Sequence, residues 1–168
     1  GGTITFESAE GIGTTFVIRV PFRIDTDRES KAETEAKTEA SIRGLHILLA
    51  EDNELNMEIA EFMLQNEGAV VTKTWNGQEA VEIFEKSRPD EFDVILMDIM
   101  MPVMNGYEAA KMIRSMDRED AKTIPIIAMT ANAFTEDRIK AKEAGMDEHI
   151  SKPIDMKLLV KIIHELVY

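Results

Sequence analysis

Between residues 44 and 168, five short apolar runs alternate with segments of helical periodicity, and that alternation leaves few folds open. The runs are Leu45 to Ala50, Val70 to Trp75, Val94 to Met97, Ile124 to Met129 and a weaker one at Glu148 to Ile150. They are continuously apolar rather than alternating, which suits strands covered on both sides. Helical spacing recurs between them in Leu55, Ile59, Phe62 and Met63, in Ala80, Ile83 and Phe84, in Ala109, Met112 and Ile113, and finally in Leu158, Leu159, Ile162, Ile163 and Leu166. Each stripe is expected to face the sheet. Breakers separate the segments at Asn76-Gly77, Pro89-Asp90, Asn105-Gly106, Gly145 and Pro153. The expectation is an α/β protein, with a doubly wound five-stranded parallel sheet and helices on both faces. The last helix runs to the end of the chain, so no output domain is expected after it.

The first 43 residues differ in kind. Residues 3 to 8 and 14 to 20 alternate apolar and polar side chains around Gly11-Ile12-Gly13, which predicts a β-hairpin. No helical pattern follows these glycines, so a turn is expected rather than a phosphate loop. Two strands alone are marginal in water, and their unpaired edges invite a neighbouring chain to form a weak homodimer. Residues 25 to 43 are almost all Asp, Glu, Lys, Arg, Thr, Ser and Ala and read as a solvated linker. The layout expected is thus a hairpin fragment over 1–24, a linker over 25–43 and the α/β domain over 44–168.

Composition narrows the function classes. At 168 residues, 44% hydrophobic and 30% charged, the chain can bury one core plus an appendage. Asp98 interrupts the strongest apolar stretch, Val94 to Met104, so nothing approaches the roughly 18 residues of a membrane span. The start lacks a signal-peptide pattern, and no membrane contact is expected. The absence of cysteine excludes disulfides, thiolate metal sites and cysteine nucleophiles, and fits a reducing, cytoplasmic setting. A formal net charge of -13 with scattered basic residues argues against binding nucleic acid or anionic lipid.

In a doubly wound sheet, ligand-binding groups gather outside the carboxyl ends of the strands. There the sequence supplies Glu51 and Asp52 after the first run, Asp98 after the third, Thr130 after the fourth and Lys152 after the fifth. Three converging carboxylates repel one another by roughly 4 kcal/mol per close pair at intermediate dielectric, which a divalent cation would relieve. Oxygen-only donors select a hard ion, Mg²⁺ in a cell, and Mg²⁺ prefers carboxylates together with phosphate. A carboxylate can attack phosphorus to form an acyl phosphate, so the set points to phosphoryl transfer.

Glu51-Asp52, Asp98-Ile-Met-Met-Pro-Val-Met-Asn-Gly106, Thr130-Ala131 and Lys152-Pro153, in this order, resemble the receiver domain of response regulators and hybrid sensor kinases. The resemblance covers residues 44 to 168 and implies the flavodoxin-like receiver fold. It implies that Asp98 is the phosphoacceptor, that Asp52, Asp98 and the backbone carbonyl of Met100 bind Mg²⁺, and that Glu51 acts through water. Lys152 would pair with the phosphoryl group and Thr130 would hydrogen-bond to it. The partner implied is a histidine phosphotransfer protein or a histidine kinase core. The aromatic switch position of the family is occupied here by His149, a titratable ring that opens the output to pH. Met100 and Asn132 flank the approach of a hydrolytic water, and a thioether cannot orient it, so a long-lived phosphoryl group is expected. Residues 1 to 24, through Gly2-Thr-Ile, Ser8, Gly11-Ile-Gly-Thr-Thr-Phe16 and Val20-Pro21, resemble the last hairpin of a histidine kinase ATP-binding domain. Together they imply a fragment of a hybrid histidine kinase, itself unable to bind ATP, whose parent is free to carry a membrane anchor.

Rival readings meet specific obstacles. Alone, Asp98 would be an ordinary cap, Glu51-Asp52 an acidic turn and Thr130 a strand residue; convergence is what promotes them. Met97, Met100, Met101 and Met104 are expected in the core, and His164 and His46 are expected to be plain helix and strand residues. An aspartyl phosphatase would need a second acid where Met100 stands. A flavin site would need a hydroxyl-rich phosphate loop where Glu51-Asp52-Asn53-Glu54 would repel phosphate. A receiver-like interaction scaffold that is never phosphorylated is the remaining alternative.

Overall fold

Among the described residues, the five apolar runs become one parallel sheet. The computed structural model describes residues 2–9, 11, 13–21, 41–131 and 135–168, without the side chains of 135–137. The chain divides into two units, Gly1–Glu39 and Ala40–Tyr168. Most of the expected linker, and Asn132, lie outside the described residues.

In the first unit, β1 (Thr3–Ala9) pairs antiparallel with β2 (Gly13–Arg19). The register sets Ile4 opposite Ile18 and Phe6 opposite Phe16, whose ring centroids are 5.9 Å apart. This is the expected hairpin, and its strand residues are exposed throughout.

In the second unit the order is β3 (His46–Ala50), α1 (Glu54–Asn66), β4 (Val70–Thr74), α2 (Gly77–Lys86), β5 (Val94–Asp98), α3 (Gly106–Ser115), α4 (Glu119–Thr123), β6 (Ile126–Thr130), α5 (Thr135–Glu143), β7 (Glu148–Ser151) and α6 (Met156–Val167). The strands lie in the order β4-β3-β5-β6-β7, all parallel. The order reverses at β3, so the ends of β3 and β5 flank the crevice where such sheets bind ligands. Each face carries its own core. Ile47, Leu49, Leu96 and Met129 pack with Met57 and Leu64 of α1 and Leu159 and Ile163 of α6. Leu48, Ile95, Met97 and Ala128 pack with Phe84 of α2, Ile113 of α3 and Ala141 of α5.

Several expectations need correction: Met112 of α3 and Leu158 and Leu166 of α6 are exposed rather than turned to the sheet, and α1 and Met100 depart further. On α1 the stripe Leu55, Ile59 and Phe62 faces outward, while Met57, Ala60 and Leu64 are buried. The helix is apolar on both sides, and the smaller set packs more closely on the sheet. Met100 is 79% exposed rather than a core residue, whereas Met97 and Met101 are buried.

Asparagine side chains start three helices: Asn53, Asn76 and Asn105 each accept a backbone N–H from the first turn that follows. Asn105 and Glu108 complete a capping box. Glycine follows two of these caps because the backbones crowd there. A Cβ on Gly77 would stand 2.6 Å from the Met104 carbonyl oxygen, and one on Gly106 would overlap the carbonyl oxygen of Asp98. Arg118 lies 4.4 Å over the Phe84 ring and donates to the Phe84 and Ser87 carbonyls and to Asp120. The Arg118 bond to Asp120, helped by the Asp90 N–H, holds the Asp120 carboxyl below the usual aspartate range, against the effect of its burial.

Candidate functional site

The end of β3 delivers Glu51 and Asp52, and the neighbouring β5 ends on Asp98. One carboxylate oxygen from each of the three lies within 4.8 Å of the others. Their exposures differ: Glu51 and Asp98 are 2% and 6% exposed, whereas Asp52 is open to solvent. Two acids are therefore fixed in the protein and one borders the crevice.

Lys152 reaches in from the loop after β7. Its Nζ donates to Asp98 Oδ2 at 2.7 Å and also pairs with Glu51 Oε2. The Lys152 backbone N–H donates to the Thr130 carbonyl at 2.8 Å, which ties that loop to the end of β6, and the Lys152-Pro153 peptide is cis. The second Asp98 oxygen, Oδ1, accepts the Met100 N–H at 3.2 Å. Thr130, buried at the end of β6, belongs to the strand beside Asp98.

Sequence reasoning missed two supports. Asn56 Nδ2 donates to Glu51 Oε1 at 3.0 Å, and the Asn53 N–H approaches the same oxygen at 3.4 Å. An asparagine three residues past the cap, in the first turn of a helix that begins beside an acidic pair, was the available signal. Gly106 enters the sequence reading as a breaker and as the end of the motif that starts at Asp98, but not as the residue whose missing Cβ admits the Asp98 carbonyl.

Electrostatics favour an added cation. Burial pushes the Asp98 carboxyl up; Lys152 opposes this, and the nearby Glu51 charge adds to it. Burial would lower the Lys152 ammonium, but Asp98 and Glu51 outweigh it and raise it. Three carboxylates against one ammonium leave the cluster net negative. The donors are all oxygen and close together, as a hard divalent ion requires, so this set fits Mg²⁺.

The expected residues do not all meet. Glu51, Asp52, Asp98, Lys152 and the Met100 backbone converge, with Thr130 on the adjacent strand. His149 lies on β7 with Nδ1 3.0 Å from Glu148 Oε1, and lines a cavity of about 380 Å³ with Arg138, Lys142 and Asp147.

The family model for the response regulator receiver domain matches residues 47–164. The chain belongs to the response regulator receiver domain family. Its receiver domain is similar to part of Histidine kinase 1 of Arabidopsis thaliana, 37% identical over 159 residues, covering 77% of this chain and 13% of that protein. The chain thus spans a small part of that relative. A crystal structure of the receiver domain of a sensor histidine kinase from Pseudomonas aeruginosa PAO1, with a magnesium ion coordinated in the active site cleft, is 40% identical. It superposes with a TM-score of 0.66, covering 74% of this chain and 98% of that one. A receiver similar to this one, 31% identical with a TM-score of 0.67 over 74% of this chain and 90% of that one, comes from a Saccharomyces cerevisiae co-crystal structure. That structure joins a histidine phosphotransfer signaling protein to the receiver domain of its downstream response regulator.

Proposed function

We propose that Asp98 accepts a phosphoryl group from a phosphohistidine, in a site that holds Mg²⁺. The observation that carries this reading is the buried Asp98 carboxylate, bonded to Lys152 and set among carboxylate oxygens within 4.8 Å of one another. One Asp98 oxygen attacks phosphorus in line as the phosphorus–nitrogen bond of the donor breaks, and the electron pair returns to the imidazole nitrogen. Asp52, Asp98 and the Met100 carbonyl are the residues that would hold the ion, with Glu51 acting through water. Bound Mg²⁺ would supply positive charge beside the phosphoryl oxygens. Lys152 neutralises a further oxygen, and the Thr130 hydroxyl donates to the arriving group. Magnesium in the Pseudomonas receiver supports the choice of ion.

The donor in this reading is a histidine phosphotransfer protein or the kinase core of the parent. The outward stripe of Leu55, Ile59 and Phe62 on α1, the helix that begins beside Asp52, supports docking of a protein, as does the yeast complex. The chain is then part of a hybrid histidine kinase acting in the cytoplasm, with residues 1–24 the end of its ATP-binding domain and 25–43 a linker. The apolar hairpin residues Ile4, Phe6, Phe16 and Ile18, which two strands cannot bury, support that assignment.

Output passes from Thr130 to the surface around His149. Phosphorylation is expected to move the His149 ring resonances in NMR spectra; unchanged resonances would remove His149 from the switch. The reaction itself is tested by intact mass after incubation with acetyl phosphate and Mg²⁺. A gain of one phosphoryl mass in wild type and none in Asp98→Ala is expected. No gain in either protein would favour the unphosphorylated scaffold.

A further inference from the structure

Just past the phosphoacceptor the chain alternates between core and solvent. Ile99 and Met101 are buried, and Met100 between them is turned outward, 79% exposed. Its N–H stays bonded to Asp98 Oδ1 at 3.2 Å, so the exposed side chain is rooted beside the reacting carboxylate. It lines a cavity of about 500 Å³ with Ile99, Met101, Asn105 and Tyr107. Of the eleven methionines, all among the described residues, only Met100 and Met112 are exposed, Met112 to 43%. A thioether is a soft, polarisable sulfur open to two-electron oxidants, and burial shields it. Met100 is thus the thioether most open to attack, and it stands at the one place where a new polar group would meet the chemistry of Asp98.

Oxidation reverses what this side chain offers. A thioether is a weak hydrogen-bond acceptor, whereas a sulfoxide oxygen is a polar one. We propose that Met100 is a site of reversible oxidation by hydroperoxides, and that its sulfoxide shortens the life of the phosphoryl group on Asp98. This rests on the phosphoacceptor reading above. In the oxidation, sulfur gives its lone pair to one peroxide oxygen, the O–O bond breaks, and water leaves. Three rotatable bonds let the side chain bring the new oxygen to the flank of Asp98, where it accepts a hydrogen bond from a water and orients it. That water attacks phosphorus in line as the bond to the Asp98 oxygen breaks. The carboxylate leaves with the electron pair, and inorganic phosphate departs carrying both hydrogens of the water. The sulfoxide itself takes no proton, so Met100 is a positioning residue that acquires its group only when oxidised. Peroxide then converts a long-lived phosphoryl group into a short-lived one.

The test uses the full chain, treated with hydrogen peroxide, freed of it with catalase, and then phosphorylated with acetyl phosphate and Mg²⁺. The donor is removed, and intact mass follows the loss of the phosphoryl group against an untreated half of the same sample. Peptide mapping is expected to find the first added oxygen on Met100, ahead of Met112 and the buried methionines. The phosphoryl half-life should fall about tenfold, the rate equivalent of one neutral hydrogen bond made in the transition state. Methionine sulfoxide reductases of both stereospecificities should restore it. Met112→Leu should respond to peroxide as wild type does, and Met100→Leu should not respond. The inference is overturned if other methionines oxidise first, if Met100 sulfoxide leaves the half-life unchanged or longer, or if Met100→Leu shortens as wild type does. It is overturned equally if the oxidised chain takes no phosphoryl group where the untreated chain does. An untreated chain that takes none would instead overturn the phosphoacceptor reading itself.

Discussion

Replacing Asp98 by asparagine should stabilise the metal-free domain, although it removes an ion pair. At an effective dielectric of about 20, a Glu51 charge within 4.8 Å repels Asp98 by at least roughly 3.5 kcal/mol, and Lys152 at 2.7 Å attracts it by roughly 6 kcal/mol. The attraction exceeds the repulsion by at most about 2.5 kcal/mol, and burying a carboxylate costs several kcal/mol. The raised Asp98 carboxyl records that burial prevails. A neutral isostere escapes both burial and repulsion, and Lys152 keeps Glu51 as its partner. We expect Asp98→Asn to gain about 1–2 kcal/mol, a melting shift of roughly 3–8 °C for a unit of this size. The sign follows from proton linkage. A carboxyl raised in the folded state binds protons more tightly there than in the unfolded chain, so wild-type stability falls as pH climbs from 3.8 through the folded value. The gap between the proteins should therefore be full at pH 7 and close as pH drops below 3.8. Mg²⁺ should reverse the order by stabilising wild type, about 2.7 kcal/mol at a hundredfold excess over Kd, with far less gain in the variant. Thermal melts in EDTA and in Mg²⁺ make the comparison, with the exposed Asp52→Asn as a control expected to shift less. An Asp98→Asn protein that melts at or below wild type in EDTA at pH 7 would refute the electrostatic account.

Other consequences are equally open to measurement. Gly106→Ala should cost about 1–3 kcal/mol in urea unfolding and slow phosphorylation, because the new methyl meets the Asp98 carbonyl and Met97 Cγ at 3.0 Å; unchanged stability would contradict this packing. Arg118→Gln should move acid unfolding to higher pH. Asp120 lies below its ordinary 3.8, so its contribution is present above that value and lost only as pH falls through the folded one, and an unmoved acid midpoint would count against the clasp. The phosphoryl group should persist for minutes or longer, since exposed Met100 offers no group to orient water; decay within seconds in the purified domain would exclude this.

The sheet was legible because burial on both faces writes continuous apolar runs. Val94 to Met97 becomes β5 with Asp98 added, and the weak run at Glu148 becomes β7. The strand-end acids and Lys152 followed from topology alone. What stayed hidden depends on contacts distant in sequence or on a choice between two faces. The short α4 has no apolar period, and the Arg118 bonds to Phe84 and Ser87 cross more than 30 residues. On α1, periodicity marked Leu55, Ile59 and Phe62, yet Met57 and Leu64 took the core, because the same helix carries an apolar stripe on each side.

The claim that Asp98 carries the phosphoryl group is tested most directly by borohydride reduction after phosphorylation, which converts an aspartyl phosphate to homoserine, followed by peptide sequencing in a mass spectrometer. The account predicts homoserine at position 98 alone, dependent on Mg²⁺. Reduction at Asp52 or Glu51, or a phosphoryl group on any other residue, would contradict it.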